Sequence, residues 1–511
     1  MTNNAFYVTT PIYYVNDNPH IGHAYTSIAC DVSARFYRLK GQNVKFLTGT
    51  DEHGQKVAKA AEKKNIDPQT LVDQVSQNFQ ALTPLLNLSN DDFIRTTQDR
   101  HKKAAQHIWQ TLLDKGHIYL SKYSGWYAVR DEAFYTEDEL TENNSGTKIA
   151  PTGAEVEWVE EESYFFDLSK WQDKLLSYYQ KHPEFVSPAH RLNEVISFVK
   201  SGLRDLSISR TTFNWGISVP NDTKHVMYVW IEALTNYITA LGYPDMNNLN
   251  FKTFWPAATH FVGKDILRFH AVYWPAFLMA ADIPLPQQIV AHGWWTIEGQ
   301  KMSKSLGNVH HPKDIVDSYG VDSFRYFLMR EISFGQDGDF SKEAICQRIN
   351  SDLANNIGNL TQRVASFAFK NCDQAVPEGT NLTADDLALL TISDSLLEKL
   401  EQHMQTFAFH KMLQDIIELG TFANKYVDQH APWQLRKEDP ERMKVTLYVL
   451  LETIRNIAIT LLPFIPESAH KILDVLSVPH EKRNFTYYGT HGRLKPGEPL
   501  KKPEPIFMRQ S

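Results

Sequence analysis

Three short segments gather residue types suited to holding a charged, phosphate-rich substrate. Pro19-His20-Ile21-Gly22-His23 stands where a helical pattern begins. A helix N-terminus offers unpaired N–H groups and partial positive charge to an anion. Two imidazoles three positions apart share one face there, and Gly22 lets a flat group approach the backbone. Lys301-Met302-Ser303-Lys304-Ser305, followed by Leu306-Gly307-Asn308, places two lysines and two serines in a short loop. Such a loop can donate to phosphate oxygens, with the lysines as mobile point charges. Thr48-Gly49-Thr50-Asp51-Glu52-His53-Gly54-Gln55 puts Asp51 at a strand end, the place where ligands gather in parallel sheets. Taken singly, each has a plain alternative: two surface histidines, a basic surface loop, and a helix-capping aspartate.

The elements around these segments alternate. Phe6 to Tyr14 is aromatic and β-branched and reads as a strand. Ile21, Tyr25, Ile28, Val32, Phe36 and Leu39 recur at helical spacing, and Gly41 is a stop signal. Val44 to Thr48 reads as a second strand, which completes a βαβ unit and predicts a parallel sheet. Ligands gather at the carboxyl ends of such strands. From His225 the pattern resumes: Val226 to Trp230 strand, Ile231 to Leu241 helix, Thr259 to Val262 strand, Asp265 to Ala280 helix, Ile289 to Ala291 strand. Between them, Lys115 to Val219 is rich in aromatics, turns and acid and reads as an insertion, with Thr141 to Gly153 a loop. After Phe340 the chain is almost wholly helical, with Leu387 to Leu400 and Val445 to Leu462 at helical spacing. The tail Leu494 to Pro505 is Pro/Lys-rich and extended. The expected organisation is an α/β parallel-sheet domain in two halves (1–114 and 225–290), an inserted connective domain (115–224), a region 291–345 carrying the lysine loop, and an all-α bundle with its tail (346–511).

Composition narrows the class. The 511 residues are 42% hydrophobic and 22% charged, ordinary for a globular protein and wrong for collagen-like or disordered chains. No charge-free apolar stretch reaches the roughly 18 residues of a membrane-spanning helix, and Met1 to Thr10 lacks the pattern of a signal peptide. The three cysteines are scattered, which excludes a disulfide framework and any CxxC zinc knuckle and points to a reducing, cytoplasmic setting. Net charge is −8, yet Asp131 to Asp167 alone carries twelve acidic residues and one lysine. The remainder is nearly balanced, with 51 basic against 48 acidic residues, so bulk charge does not exclude RNA. The acidic stretch reads as a solvated surface.

Together, the histidine segment and the unaltered Lys-Met-Ser-Lys-Ser segment on an α/β chain resemble class I aminoacyl-tRNA synthetases. Within that class the chain is most similar to methionyl-tRNA synthetases along essentially its whole length. Thr48–Gln55 looks like their strand-end motif, as do Tyr228-Val229-Trp230-Ile231-Glu232-Ala233-Leu234, Phe261-Val262-Gly263-Lys264-Asp265-Ile266 and Ala291-His292-Gly293-Trp294. The large editing insertion of the leucine, isoleucine and valine relatives has no room here. Gly125–Glu132, which corresponds to a zinc-knuckle region, holds no cysteine, so the resemblance implies the zinc-free bacterial-type subtype. It also implies a Rossmann-like catalytic domain and, without the appended C-terminal tRNA-binding domain, a monomer.

The resemblance implies ATP-dependent activation of L-methionine to methionyl-adenylate, then transfer to tRNA(Met), serving translation initiation and elongation. His20, His23, Lys301 and Lys304 would be catalytic. ATP would lie against His20, Gly22, His23, Gly263, Lys264, Asp265 and Lys304, with Mg2+ on its phosphates. Ile12, Tyr14, Asp51, Trp230, Ala233, Tyr237, Ile266 and His270 would surround methionine, and Arg210 would neighbour the adenylate, unless it forms a surface salt bridge. In the helical part, Asn350, Asn355 and Arg363 would face the anticodon, and Trp433 in Tyr426-Val427-Asp428-Gln429-His430-Ala431-Pro432-Trp433 would stack on a base. Two rivals are a non-catalytic synthetase-like RNA-binding protein, which should have lost a signature residue, and a small nucleotidyltransferase, which needs no helical third domain.

Overall fold

The computed structural model describes residues 4–15, 18–131, 133–143, 145–297, 300–301 and 311–510. The chain divides into two compact units. One holds the described residues through Pro19 with Lys45–Pro84 and Asn90–Ala291; the other holds His20–Val44, Leu85–Ser89 and the described residues from His292 onward.

The first unit is built on a seven-stranded sheet. Its order is Val186–Ser187, Gln288–His292, Ala258–Gly263, Ala5–Thr9, Asn43–Asp51 and Tyr13–Tyr14, with Asp92–Arg95 also paired to Asn43–Asp51. Tyr13–Tyr14 runs parallel to Asn43–Asp51, and the helix Ile21–Leu39 connects them in sequence, so the expected βαβ unit forms. Ala5–Thr9 pairs in parallel with Ala258–Gly263, and both are buried along nearly their whole length, as strands covered on both faces are. Gly49 lies opposite Ile94, and a Cβ there would sit 2.0 Å from the Ile94 carbonyl oxygen; only glycine allows this approach.

An antiparallel sheet of Leu206–Ser207, Glu157–Phe166, Ile118–Ala128 and Ala133–Tyr135 occupies much of the range expected as an insertion. Its Glu157, Glu160 and Glu162 are exposed, the solvated acidic surface the charge pattern suggests. Val186–Ser187, in the same sequence range, pairs instead with the parallel sheet.

Four expectations need correction. Phe6 to Tyr14 is two strands, because Pro11 has no N–H to continue a ladder. Val226 to Trp230 is not one strand: Asp222–Met227 is extended, but Val229 and Trp230 already belong to the helix Val229–Leu234, where β-branched and aromatic preference for strands yields to local packing. Asp265 to Ala280 is a 3₁₀ turn (Lys264–Ile266), a π-helical turn (Phe269–Tyr273) and an α-helix (Trp274–Ala280), not one helix. Thr141 to Gly153 contains a short ladder between Thr141–Glu142 and Lys148–Ile149.

The second unit is mainly helical. Ala384–Met404, Phe409–His430, Pro440–Leu461 and Pro466–Val475 pack as the expected bundle. Pro440–Leu461 is buried almost all round, so it is the central helix. Its Arg455 pairs with Glu452 at 3.0 Å and donates to the carbonyls of Tyr487 and Gly489, both at 2.8 Å. The tail follows as extended chain, with Val376 donating to the Glu498 carbonyl and Leu500 to that of Gln374.

The helix Ile21–Leu39 is anchored within this unit through Arg325. That fully buried guanidinium meets Asp31 at 2.7 Å and donates to the carbonyls of Leu86, Pro463 and Phe464 at 2.8–2.9 Å. Asp31 also accepts from Arg35 and Ser89. Burial alone would raise the Asp31 pKa; the two guanidinium groups and these bonds hold it below the ordinary carboxylate value.

Candidate functional site

In the second unit, the two histidines of the first segment cap their own helix. His20 is the N-cap residue, and its Nδ1 accepts from the Gly22 N–H at 3.1 Å. His23 answers: its Nδ1 accepts from the His20 N–H at 3.1 Å. This reciprocal box uses imidazoles where a hydroxyl and a carboxylate usually serve. The rings lie 3.9 Å apart. Each Nδ1 is an acceptor, so Nε2 is the proton-bearing nitrogen of both. Desolvation first, and the neighbouring His20 second, push the His23 pKa well below 6.5, so it acts as a neutral donor at physiological pH.

His292 braces this helix. Its Nε2 is 2.7 Å from the Thr26 hydroxyl, and its ring meets Tyr25 edge-on at 5.2 Å. Gly293 follows because a Cβ would reach 2.3 Å from the Gln336 carbonyl oxygen. The chain then enters Trp295–Ile297, parallel to Gly338–Phe340 and antiparallel to Gln300–Lys301. Lys301 is thus placed by its backbone, of which alone the structure speaks. Met302, Ser303, Lys304, Ser305 and the residues through 310 lie outside the described residues.

In the first unit, most residues expected around methionine come together. Trp230 stacks on Phe269 at 3.7 Å with the rings 2° from parallel, and meets His270 edge-on at 6.0 Å. The Tyr237 hydroxyl is 2.7 Å from His270 Nε2, while His270 Nδ1 is 3.0 Å from the Ile266 carbonyl. Burial lowers the His270 pKa to about 4, so Nδ1–H donates to Ile266 and Nε2 accepts from Tyr237. Ala233 is buried one turn after Trp230. Asp51 ends its strand, 8% exposed, and pairs in register with Tyr14. Ile12 and Tyr14 pack at the margin of the same core.

Gly263, Lys264 and Asp265 leave the strand Ala258–Gly263 into one 3₁₀ turn, shorter than the helix expected there. Arg210 is no surface residue. It is 3% exposed, with its guanidinium 4.6 Å from the Tyr228 ring, 4.9 Å from Phe134 and 5.4 Å from Tyr127. Its Nη1 donates to Ser207 Oγ at 3.0 Å and the Ser209 carbonyl at 2.7 Å.

In the helical unit, Trp433 is 43% exposed. Ala431, at φ 39°, breaks the helix Phe409–His430 from Pro432–Glu438, and Pro432 starts the new one. The Arg363 guanidinium lies 5.5 Å from the Trp433 ring and 3.0 Å from Asp428. Asn355 is exposed on the π-helical segment Ile349–Gly358. Asn350 bonds the far end of the chain: its Nδ2 donates to the Gln510 carbonyl and its Oδ1 accepts from the Gln510 N–H, both at 2.8 Å.

A family model described as "tRNA synthetases class I (M)" matches residues 6–365, and one described as "Anticodon binding domain of methionyl tRNA ligase" matches 376–511. The chain belongs to the methionyl-tRNA synthetase family. The methionine–tRNA ligase of Rickettsia bellii is 59% identical over 510 residues, covering 99% of each chain; that of Rhizobium meliloti is 54% identical, covering 99% and 98%. A structure of the Mycobacterium tuberculosis methionyl-tRNA synthetase in complex with methionyl-adenylate superposes with a TM-score of 0.97 at 49% identity, covering 99% of this chain and 100% of that one. Among the described residues, no group of three or more His, Cys, Asp or Glu is placed to hold a metal, and no helix is long and apolar enough to cross a membrane.

Several residues of this family member escaped the sequence reading. Phe269 is the stacking partner of Trp230, and the π-helical turn that presents it is a feature often found at functional sites. His260 stacks on Tyr237 at 4.0 Å and lies 2.9 Å from the Thr9 hydroxyl. His53 and Glu232 join two motifs, His53 Nδ1 lying 2.9 Å from Glu232 Oε1. All four stand inside quoted motifs or beside named residues; no spacing rule singles them out.

Proposed function

We propose that the chain activates methionine with ATP and charges tRNA(Met), using the residues assembled above. The aromatic wall of Trp230, Phe269, Tyr237 and neutral His270 carries the reading of the amino-acid site. A thioether is polarisable and tolerant of geometry, so it gains from aromatic surroundings without needing a fixed hydrogen bond. Asp51 would hold the ammonium, with Ile12, Tyr14, Ala233 and Ile266 completing the pocket.

In the first step, a methionine carboxylate oxygen attacks the α-phosphorus. The bond to the bridging oxygen breaks, and pyrophosphate leaves with the bonding electrons. His20, His23, Lys301 and Lys304 stabilise the charge on that leaving group. His23 does so as a neutral donor through Nε2–H, while the lysines bring full charge. Removing one such donor costs roughly 10²–10³ in rate at comparable sites. Magnesium comes with the ATP phosphates as part of the substrate. Gly22 admits the nucleotide to the helix terminus, and Gly263, Lys264 and Asp265 receive the adenosine. Arg210 borders the adenylate. In the second step, a ribose hydroxyl of the terminal adenosine attacks the methionyl carbonyl, and AMP leaves. Trp433 stacks on an anticodon base, with Arg363, Asn355 and Asn350 facing the anticodon beside it.

We assign catalysis to residues 1–114 and 225–290, the connective role to 115–224, the lysine-loop region to 291–345 and anticodon reading to 346–511. A zinc-free, monomeric, cytoplasmic enzyme completes the proposal. ATP–pyrophosphate exchange against all standard amino acids tests the central reading: only methionine should support it efficiently. Equal exchange with leucine, valine or isoleucine would overturn the methionine assignment.

A further inference from the structure

The turn after Asp51 is held with unusual completeness. The Glu52 N–H donates to Thr96 Oγ1 at 2.9 Å, and its carbonyl accepts from Trp215 Nε1 at 2.7 Å. Gly54 N–H donates to the Trp215 carbonyl at 3.1 Å, and Gly54, at φ 109°, begins the next helix. The Glu52 carboxylate is taken by Arg95, Thr97 and Thr50. These contacts fix the backbone on both sides of His53, whose ring meets Trp215 edge-on at 5.3 Å.

His53 then crosses to Glu232, with 3% and 1% of the two residues exposed. Glu232 lies on the short helix Val229–Leu234, between Trp230 and Ala233. One buried contact therefore ties the strand end that carries Asp51 to the helix that carries the aromatic wall. A helix of six residues has little stiffness of its own. Its placement depends on such ties.

We propose that His53 and Glu232 are positioning residues for the amino-acid site. They set the distance between the group that holds the ammonium and the wall that holds the side chain. Neither needs to touch methionine. The pair acts by keeping two recognition elements in register, so its loss should weaken methionine binding more than ATP binding or the rate of the bound complex. The proposal rests on the methionine-site reading above.

The test compares His53→Ala with His53→Asn in pyrophosphate exchange, varying methionine and ATP separately. An Asn side-chain N–H can occupy nearly the position of the imidazole Nδ1–H and still donate to Glu232. A buried hydrogen bond to a charged group corresponds to about tenfold or more in binding. The Ala variant should raise the methionine KM by about that factor while the ATP KM and kcat stay within about twofold. The Asn variant should return the methionine KM most of the way to wild type. A general packing defect would instead move both KM values together with the melting temperature. An Ala variant with an unchanged methionine KM, a parallel rise in the ATP KM, or an Asn variant as impaired as Ala would each overturn the proposal. Should His53→Ala not fold, His53→Leu supplies the variant that keeps bulk without the donor, and the same outcomes apply. Wild-type exchange that ignores methionine would defeat the site reading itself, a result distinct from any of these.

Discussion

Trp433→Ala separates RNA reading from structure. The indole is 43% exposed, and the contact that orients it is the Arg363 guanidinium at 5.5 Å, itself paired with Asp428 at 3.0 Å. Losing an exposed cation–π contact costs about 0.5–1 kcal/mol. In a chain this long that should lower the melting temperature by only about 2 °C or less. Loss of base stacking is a larger effect on RNA binding, ~1–3 kcal/mol per base. That converts to about 5- to 150-fold in charging efficiency with tRNA, read as kcat/KM. Pyrophosphate exchange without tRNA should remain at the wild-type level, because it uses no base contact. Trp433→Phe should recover much of the charging, since it keeps a π-face. All three quantities should be measured on one preparation. Normal charging by the Ala variant would refute the stacking role. Joint loss of exchange, charging and melting temperature would show that the indole supports the fold instead.

Lys304→Ala should slow exchange by roughly 10²–10³ while methionine binding, followed by equilibrium titration, barely changes; normal exchange would remove the lysine loop from the mechanism. Elemental analysis of dialysed protein should find no stoichiometric zinc, and one retained zinc per chain would overturn the zinc-free assignment. Stability should fall on mild acidification. His101 and His270 have pKa values lowered by burial to about 3 and about 4, so below pH 6.5 the unfolded chain binds protons that the folded chain refuses. Each therefore removes roughly 1.4 kcal/mol between pH 7.5 and 5.5, and urea titrations at the two pH values should show it. Equal stability at both would refute the buried, neutral assignment of these rings.

Periodicity located the helix Ile21–Leu39 and the bundle because their large apolar residues recur at steps of three and four, whether a helix buries one face or most of its surface. It failed at Val229–Trp230 and across Lys264–Ala280 for a related reason. Around the aromatic wall, backbone form follows ring packing rather than propensity, so a β-branched and aromatic pair turns helical and an apolar run acquires a π-helical turn. The histidine, lysine and aspartate motifs were readable because the resemblance rests on particular residue types at particular chain positions. Their partners were not. Whether a buried arginine such as Arg210 faces rings or a carboxylate depends on strands more than sixty residues away in the chain, beginning with Tyr127 and Phe134. The bonds of Asn350 to Gln510 were likewise not readable, because they join residues 160 positions apart in the chain.

The histidines show one physical logic on both sides of the chemistry. His20 and His23 spend Nδ1 on helix-terminal amides, and His270 spends Nδ1 on the Ile266 carbonyl and Nε2 on Tyr237. In each case the backbone dictates the tautomer before any substrate arrives. A mobile imidazole would gain charge near pH 6.5 and change what it prefers to bind. Burial is what keeps His23 and His270 neutral, whereas the bond from His270 to the Ile266 carbonyl would by itself favour the charged ring. In the amino-acid pocket proposed above this matters, because a charged His270 would favour a polar side chain over a thioether. The pH dependence of selectivity among amino acids should therefore stay flat down to about pH 5 even as the fold loses stability, because the His270 pKa lies at about 4. Discrimination that erodes already near pH 6.5 would mean that the ring is protonated in the working enzyme and that burial does not hold it neutral.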